Sequence, residues 1–86
     1  MNARISIDFE FAEGAVLRML GLVERRGFEI RGIGMVENER GAAAKMMLEL
    51  APRDASRRIE VLDLQLRRLH GVHDVVTNHP PAGPAS

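Results

Sequence analysis

One stretch near the start of the chain decides the fold: Ala3-Arg4-Ile5-Ser6-Ile7-Asp8-Phe9-Glu10-Phe11. Its odd-numbered positions are apolar and its even-numbered positions are polar. Successive side chains of a β-strand point to opposite faces, so this alternation predicts a strand with one buried and one solvated face. The solvated face would carry Arg4, Ser6, Asp8 and Glu10.

The hydrophobic period then changes to helical spacing over residues 13–26. The core-facing residues of this helix would be Val16, Met19, Leu20 and Val23, with Leu17 on the flank. Gly27 follows at the position where helices commonly end in a left-handed residue. The sequence therefore predicts that a helix follows the first strand.

A second strand is predicted over residues 28–37, but its alternation shifts phase part-way along. The apolar residues up to Ile30 share one parity, whereas those from Ile33 share the other. Gly32 lies at the shift, and glycine within a strand often marks a bulge or a bend. A polar hairpin loop over residues 37–41 would follow.

The second half of the chain predicts another strand and another helix. Alternation over residues 44–50 indicates the third strand, which Pro52 ends. Asp54 or Ser56 would cap the second helix, and Gly71 would close it. The core stripe of that helix would consist of Ile59, Leu62, Leu66 and Leu69.

A short last strand over residues 72–78 completes the order β-α-β-β-α-β, which is the ferredoxin-like α+β arrangement. Right-handed crossovers place both helices on one face of a four-stranded antiparallel sheet. We expect one domain over residues 1–79. The Pro-rich tail over residues 80–86 cannot bury a core and is expected to be disordered.

Length and composition exclude several classes of protein. The chain has 86 residues, enough for one domain, and its 12 Lys+Arg balance its 12 Asp+Glu. A neutral chain lacks the basic surface of a nucleic-acid binder. Without Cys it has no disulfide and no thiolate metal site. We expect a cytoplasmic protein, because an oxidising compartment would normally add disulfides to so small a domain and no signal peptide is evident. We expect neither a nucleic-acid partner nor a membrane, since the net charge is zero and no stretch is long and apolar enough to span a bilayer.

No arrangement of residues predicts catalysis or a metal site. None of the three serines has a His and a carboxylate at a motif spacing. Asp8 and Glu10 could resemble a carboxylate pair, but a solvated strand face is the better interpretation. His70 and His73 are separated by a helix-breaking glycine, and structural zinc needs four ligands. We therefore expect no catalytic, cofactor-binding or metal-binding residues.

Gly32 and Gly34 leave two interpretations open. They mark a bulge, or they allow a second backbone or a ligand to approach the strand closely. Apolar side chains predicted on exposed faces, beside an exposed strand edge, also favour a protein partner. These side chains are Met47, Val61, Leu64 and Val75.

A further pattern runs through residues 13–30. Gly14 opens the first helix, an aliphatic run from Val16 to Val23 follows, and Arg26-Gly27-Phe28-Glu29-Ile30 enters the second strand. In these residues the chain resembles an ACT domain and, more narrowly, the small regulatory subunit of acetolactate (acetohydroxyacid) synthase. The length resembles the short single-ACT form of that subunit, as in isozyme II.

This resemblance implies a regulatory protein with no catalytic residues of its own. Such subunits bind and activate the large subunit, which is expected to hold thiamine diphosphate, Mg and FAD. Many of them transmit feedback inhibition by branched-chain amino acids. ACT domains commonly form homodimers through helix 1 and strand 2, with an amino-acid effector at that interface. The candidate effector or interface residues are Phe11, Glu13, Gly14, Ala15, Glu29, Ile30, Gly32, Ile33 and Gly34.

Two of these positions depart from the feedback-sensitive pattern. Long-form subunits have an Asn three residues before the helix-opening Gly and another where the second strand begins. This chain has Phe11 and Glu29 there. Phe11 cannot hydrogen-bond an amino acid, and Glu29 would repel its carboxylate, so we expect weak or absent valine inhibition. A stand-alone ACT domain that senses another small molecule and regulates a different enzyme is the alternative.

Overall fold

A computed structural model describes residues 2–37 and 43–78. The elements are β1 (Ala3–Glu10), α1 (Ala15–Arg25), β2 (Phe28–Glu37), β3 (Ala43–Pro52), α2 (Ile59–Arg67) and β4 (Val72–Asn78). The four strands form one antiparallel sheet in the order β2-β3-β1-β4. This confirms the predicted ferredoxin-like fold. The predicted tail over residues 80–86 and the loop residues 38–41 lie outside the described residues.

The alternation that opens the chain is confirmed in β1. Ile5, Ile7 and Phe9 are almost completely buried, whereas Arg4 is exposed. β1 lies in the interior of the sheet, between β3 and β4. Its apolar side chains therefore contribute to the core between the sheet and the two helices, which contains no buried polar or charged side chain among the described residues.

α1 begins and ends at glycines with left-handed backbone angles. Gly14 precedes it with φ of 80°, and Gly27 follows it with φ of 90°, as predicted for the end of this helix. The buried stripe is rotated from the prediction, because Leu22 is buried while Val16 and Leu20 are only partly buried. The two partly buried residues lie on one flank of the helix. Both residues pack against the buried core cluster.

β2 contains the predicted phase shift. Ile30 pairs with Leu50 and Gly32 pairs with Glu49, so Arg31 is an extra residue in the ladder. Such a bulge reverses which face the following side chains occupy. Gly32 lies directly after the bulge and Gly34 lies beyond it, and neither has a positive φ.

The prediction that Asp54 or Ser56 caps α2 is wrong. The residue before the helix is Arg58, in an extended conformation and without a side-chain cap. The Asp54 carboxylate instead accepts hydrogen bonds from the backbone N–H and the hydroxyl of Ser56. These bonds close a local turn, and the chain needs two further residues after Ser56 before the first helical turn begins. Gly71, with φ of 87°, ends the connection after α2.

Val75 was expected on an exposed face, and this prediction is wrong. Val75 is 1% exposed, whereas Val76 is 55% exposed. The cause is a bulge in the pairing of β1 with β4. Ile7 pairs with Val75 but Phe9 pairs with Val72, so three steps along β4 match two steps along β1. The extra residue places both Val72 and Val75 on the helix side.

Candidate effector and interface site

The loop between β1 and α1 forms a tight turn. The N–H of Ala15 donates to the carbonyl oxygen of Ala12 at 3.0 Å, and the N–H of Arg18 donates to that of Gly14 at 3.0 Å. The left-handed conformation of Gly14 is one that side-chain-bearing residues rarely adopt. The turn leads directly into α1, whose first turn has no side-chain cap.

A shallow depression of about 340 Å³ lies against this turn. Its walls are Phe11, Ala12, Glu13, Gly14, Val16 and Leu17. Phe11 was expected on the helix-facing side of the sheet, but it lies beyond β1 and is 47% exposed. Its ring contacts Phe9 edge-on, with centroids 6.2 Å apart. Glu13 is the one ionisable side chain in this lining, so the depression suits a small apolar group better than an amino-acid headgroup.

The other half of the predicted site lies on β2, at one edge of the sheet. Glu29 is exposed and forms an ion pair with Arg31, with Oε1 and Nη1 3.0 Å apart. Ile30 is partly buried against the core, and Ile33 is 55% exposed. Gly32 and Gly34 lie on the face opposite the helices, because their partners on β3 are Glu49 and Met47.

A single protomer does not bring these two halves together. Glu10, which precedes the loop, lies level with Ala43, whereas Glu29 lies level with Ala51 at the opposite end of β3. Several residues of strand separate them, which corresponds to more than about 20 Å at about 3.3 Å per residue. The Phe11 and Gly14 end and the Glu29 end therefore lie at opposite ends of the sheet.

An apolar strip runs beside the unpaired edge of β2, and we call it the α1–β2 flank. It consists of Val16, Leu17, Leu20, Ile33 and Met35. Leu17 on α1 is 76% exposed, and Met35 on the edge strand itself is 39% exposed. Arg18 and Met19 line a small pocket with Leu69, which lies in the segment between α2 and β4, so Val16 and Leu20 lie on the side of α1 nearer β2. The sequence prediction included Ile33 but missed Met35, although the two share the parity of the strand beyond the bulge.

Polar side chains elsewhere form ordinary surface pairs. Asp8 lies across from Lys45, with Oδ1 and Nζ 3.8 Å apart, and Glu10 contacts His73 at 3.4 Å. Within residues 2–37 and 43–78, no three His, Asp or Glu side chains lie close enough to hold a metal ion. In the same ranges, no helix combines the length and apolar composition needed to cross a bilayer. The exposed positions predicted for Met47, Val61 and Leu64 are confirmed.

The family comparison extends over both halves of this site. A family model described as "ACT domain" matches residues 12–75. The chain belongs to the ACT domain family. ACT domains are regulatory, small-molecule-binding domains, and the matched range contains the loop before α1 except Phe11, the edge strand β2 and both helices. No curated protein sequence matches this ACT domain.

Several solved structures share the fold at low sequence identity. The ACT domain of GTP pyrophosphokinase from Chlorobium tepidum is 22% identical with a TM-score of 0.72, over 90% of this chain and 96% of that one. The acetolactate synthase small subunit from Thermotoga maritima is 22% identical with a TM-score of 0.77, over 95% of this chain and 50% of that one. A formyltetrahydrofolate deformylase from Pseudomonas putida KT2440 is 8% identical with a TM-score of 0.76, over 93% of this chain and 29% of that one. These likenesses concern the fold.

Proposed function

We propose that this ACT domain is a non-catalytic regulatory subunit of acetolactate synthase, which binds and activates the large catalytic subunit in the cytoplasm. The sequence pattern of residues 13–30 supports this assignment, and the small subunit from Thermotoga maritima has the same fold. Thiamine diphosphate, Mg and FAD would be held by the large subunit. The role of this chain is to order its partner's active site through contacts, a coupling free energy of about 1–3 kcal/mol.

The observation that carries the proposal is the combination of an unpaired strand edge with the α1–β2 flank. The edge of β2 presents backbone N–H and C=O groups, and Leu17 and Ile33 are exposed beside it. Antiparallel pairing of β2 with β2 of a second copy would satisfy the edge groups and bury the flank. It would also reverse one β2 relative to the other, so that Glu29 of one copy approaches the Gly14 end of the other. A homodimer would thereby assemble the divided effector site.

The depression at the β1–α1 loop fits weak or absent feedback. Phe11 lines its wall, and Glu13 is its ionisable side chain. An amino acid binding here would find backbone N–H groups at the start of α1, but no side-chain amide among the lining residues. Valine inhibition is therefore expected to be weak or absent.

The test is to mix the purified chain with the large subunit and to measure acetolactate formation. We expect a rise in rate, which Ile33→Lys lowers because it places a charge in the flank. Leu64→Lys is the matched control, since Leu64 is 60% exposed on α2, away from the flank. No change in rate, cofactor retention or stability of the large subunit would refute the proposal.

A second candidate is a stand-alone ACT domain that senses another small molecule and regulates a different enzyme. The GTP pyrophosphokinase ACT domain has the same fold and nearly the same extent, which favours this alternative. A thermal-shift screen over amino acids and nucleotides distinguishes the two, because a ligand that binds the folded state raises its apparent stability.

A further inference from the structure

Side chains on the sheet face that points away from both helices form three rows across the strands. We call this surface the open face. Its middle row is Gly34, Met47, Ser6 and Val76. One flanking row is Val36, Lys45, Asp8 and Asp74, and the other is Gly32, Glu49, Arg4 and Asn78.

Apart from Ser6, the middle row is apolar, and it is accessible. Met47 is 42% exposed and Val76 is 55% exposed, and a groove of about 500 Å³ runs over them. Gly34 extends the row to the sheet edge without a side chain. An apolar centre flanked by charged side chains has the anatomy of a protein–protein interface.

On the two central strands, β3 and β1, the charges of the flanking rows alternate in sign in both directions, whereas Asp74 on β4 repeats the sign of Asp8. Lys45 lies beside Asp8 in one row, and Glu49 lies beside Arg4 in the other. Along β3 the sign changes from Lys45 to Glu49, and along β1 it changes from Arg4 to Asp8. A pattern of this kind is complementary to its own image after a half-turn about an axis along the middle row.

We propose that the open face binds the open face of a second copy of this chain. The two-fold axis lies in the interface and crosses the strands along the middle row. Lys45 then faces Glu49 of the second copy, and Asp8 faces Arg4 of the second copy. Met47 packs against Met47, in two sheets stacked about 10 Å apart.

The strand glycines fit this arrangement. Neither Gly32 nor Gly34 has a positive φ, and a Cβ atom at either would meet its nearest neighbour at 3.6 Å, an ordinary contact. The fold of the protomer therefore does not need glycine at these positions. In the stacked pair, Val36, which is 58% exposed, faces Gly32 of the second copy. The missing side chain leaves room for it.

The choice of axis direction rests on the β2–β2 edge pairing that is part of the proposed function. The contact between two open faces does not depend on that pairing. Pairing of β2 with β2 has its two-fold axis perpendicular to the sheet. An axis across the strands can meet that axis at a right angle, so four copies form a closed assembly. A two-fold axis parallel to the strands, between β1 and β3, would also place unlike charges opposite each other. That axis would not intersect the β2–β2 axis, so the copies would form an open chain instead of a closed assembly.

The first experiment tests the face. The chain has no cysteine, so Met47→Cys provides a single thiol, and a short bismaleimide should link two copies of the full-length protein. Leu64→Cys is the control at a comparably exposed site on α2, and it should remain unlinked. Equal linking of both variants, or linking of Met47→Cys to the large subunit instead of to a second copy, would overturn the proposal.

The second experiment tests the axis by sedimentation equilibrium at low salt. Lys45→Glu and Glu49→Lys should each weaken self-association about tenfold or more, because each opposes like charges across the interface. The double variant Lys45→Glu/Glu49→Lys should recover it, since position 45 again faces an opposite charge at position 49. A double variant weaker than either single variant would overturn the crossing axis. If the wild-type chain does not activate acetolactate formation but Met47→Cys still cross-links two copies, the proposed function is refuted and the open-face contact is not.

Discussion

Gly34 lies directly opposite Met47 across the β2–β3 ladder, and the Cε atom of Met47 lies 3.6 Å from where a Cβ atom of residue 34 would be. This is an ordinary van der Waals distance. The backbone of Gly34 is also outside the left-handed region. Within the protomer, glycine at this position supplies neither conformational freedom nor needed space. It supplies a flat surface at the edge of the open face.

The first prediction is that Gly34→Ala stabilises the protomer. Alanine loses less backbone entropy on folding, so the free energy of unfolding should rise by about 0.5 kcal/mol. Urea denaturation in dilute solution measures it. Gly14→Ala is the contrasting variant, because Gly14 has φ of 80°, and it should cost about 1–2 kcal/mol. A loss of stability in Gly34→Ala as large as in Gly14→Ala would mean that the strand itself requires glycine.

The second prediction separates two leucines of α2 that are two positions apart. Leu62 is completely buried, whereas Leu64 is 60% exposed. Leu62→Ala should cost about 2–5 kcal/mol through lost burial and a cavity, a large part of the stability of so small a domain. Leu64→Ala should change the free energy of unfolding by less than about 0.5 kcal/mol. Thermal unfolding followed by circular dichroism compares them, and similar losses in the two would contradict the orientation of α2.

Local patterns were enough to predict most of the fold. The alternation of residues 3–11 predicted β1, and the phase shift at Gly32 predicted the bulge in β2. Gly27 predicted the end of α1 because the left-handed conformation is a local property of the backbone. Element order then determined the ferredoxin-like arrangement, since the allowed crossovers are few.

The errors arise where a residue's environment depends on distant parts of the chain. Val75 is buried because of a bulge against β1, and its own neighbours in sequence do not indicate that bulge. Asp54 has a side chain suited to a helix cap, but its hydrogen bonds go to Ser56 in a turn before α2. The two halves of the candidate site were both predicted, but their separation at opposite ends of the sheet follows from strand register.

The third prediction concerns pH. The hydrogen bonds from Ser56, together with the nearby Arg57 guanidinium, hold the pKa of the Asp54 carboxyl below its ordinary value of 3.8. A carboxyl whose pKa is lower in the folded state stabilises the folded state at pH values above its unfolded-state pKa. That stabilisation is lost as the pH falls through the folded-state pKa. Asp54→Ala should therefore be slightly less stable than the wild type at pH 7, and the difference should shrink below about pH 4.

Urea midpoints measured from pH 7 down to pH 3 provide that comparison. Asp54→Asn is the control, because its Oδ1 can still accept the Ser56 N–H while the charge beside Arg57 is gone. We expect Asp54→Asn to lie between the other two proteins at pH 7. A constant difference between the wild type and Asp54→Ala across the whole range would show that ionisation of Asp54 does not contribute to stability.

The last prediction tests whether two copies assemble the divided effector site. Phe11→Asn/Glu29→Asn introduces two side-chain amides where feedback-sensitive subunits have them, and we expect it to bind valine more tightly than the wild type does. Each amide contributes about 0.5–1.5 kcal/mol through a net hydrogen bond, so two amides give a gain of about 5- to 150-fold in affinity. Isothermal titration calorimetry measures it.

The strand register makes this prediction specific to a dimer, because Phe11 and Glu29 lie at opposite ends of the sheet in one protomer. The two amides can reach one valine only if β2 of one copy pairs with β2 of another. Adding Ile33→Lys, which charges the α1–β2 flank, should therefore abolish the gain, whereas adding Leu64→Lys should preserve it. If the gain survives Ile33→Lys in a protein that sediments as a monomer, valine binds within one protomer and the proposed edge pairing is not needed for the site.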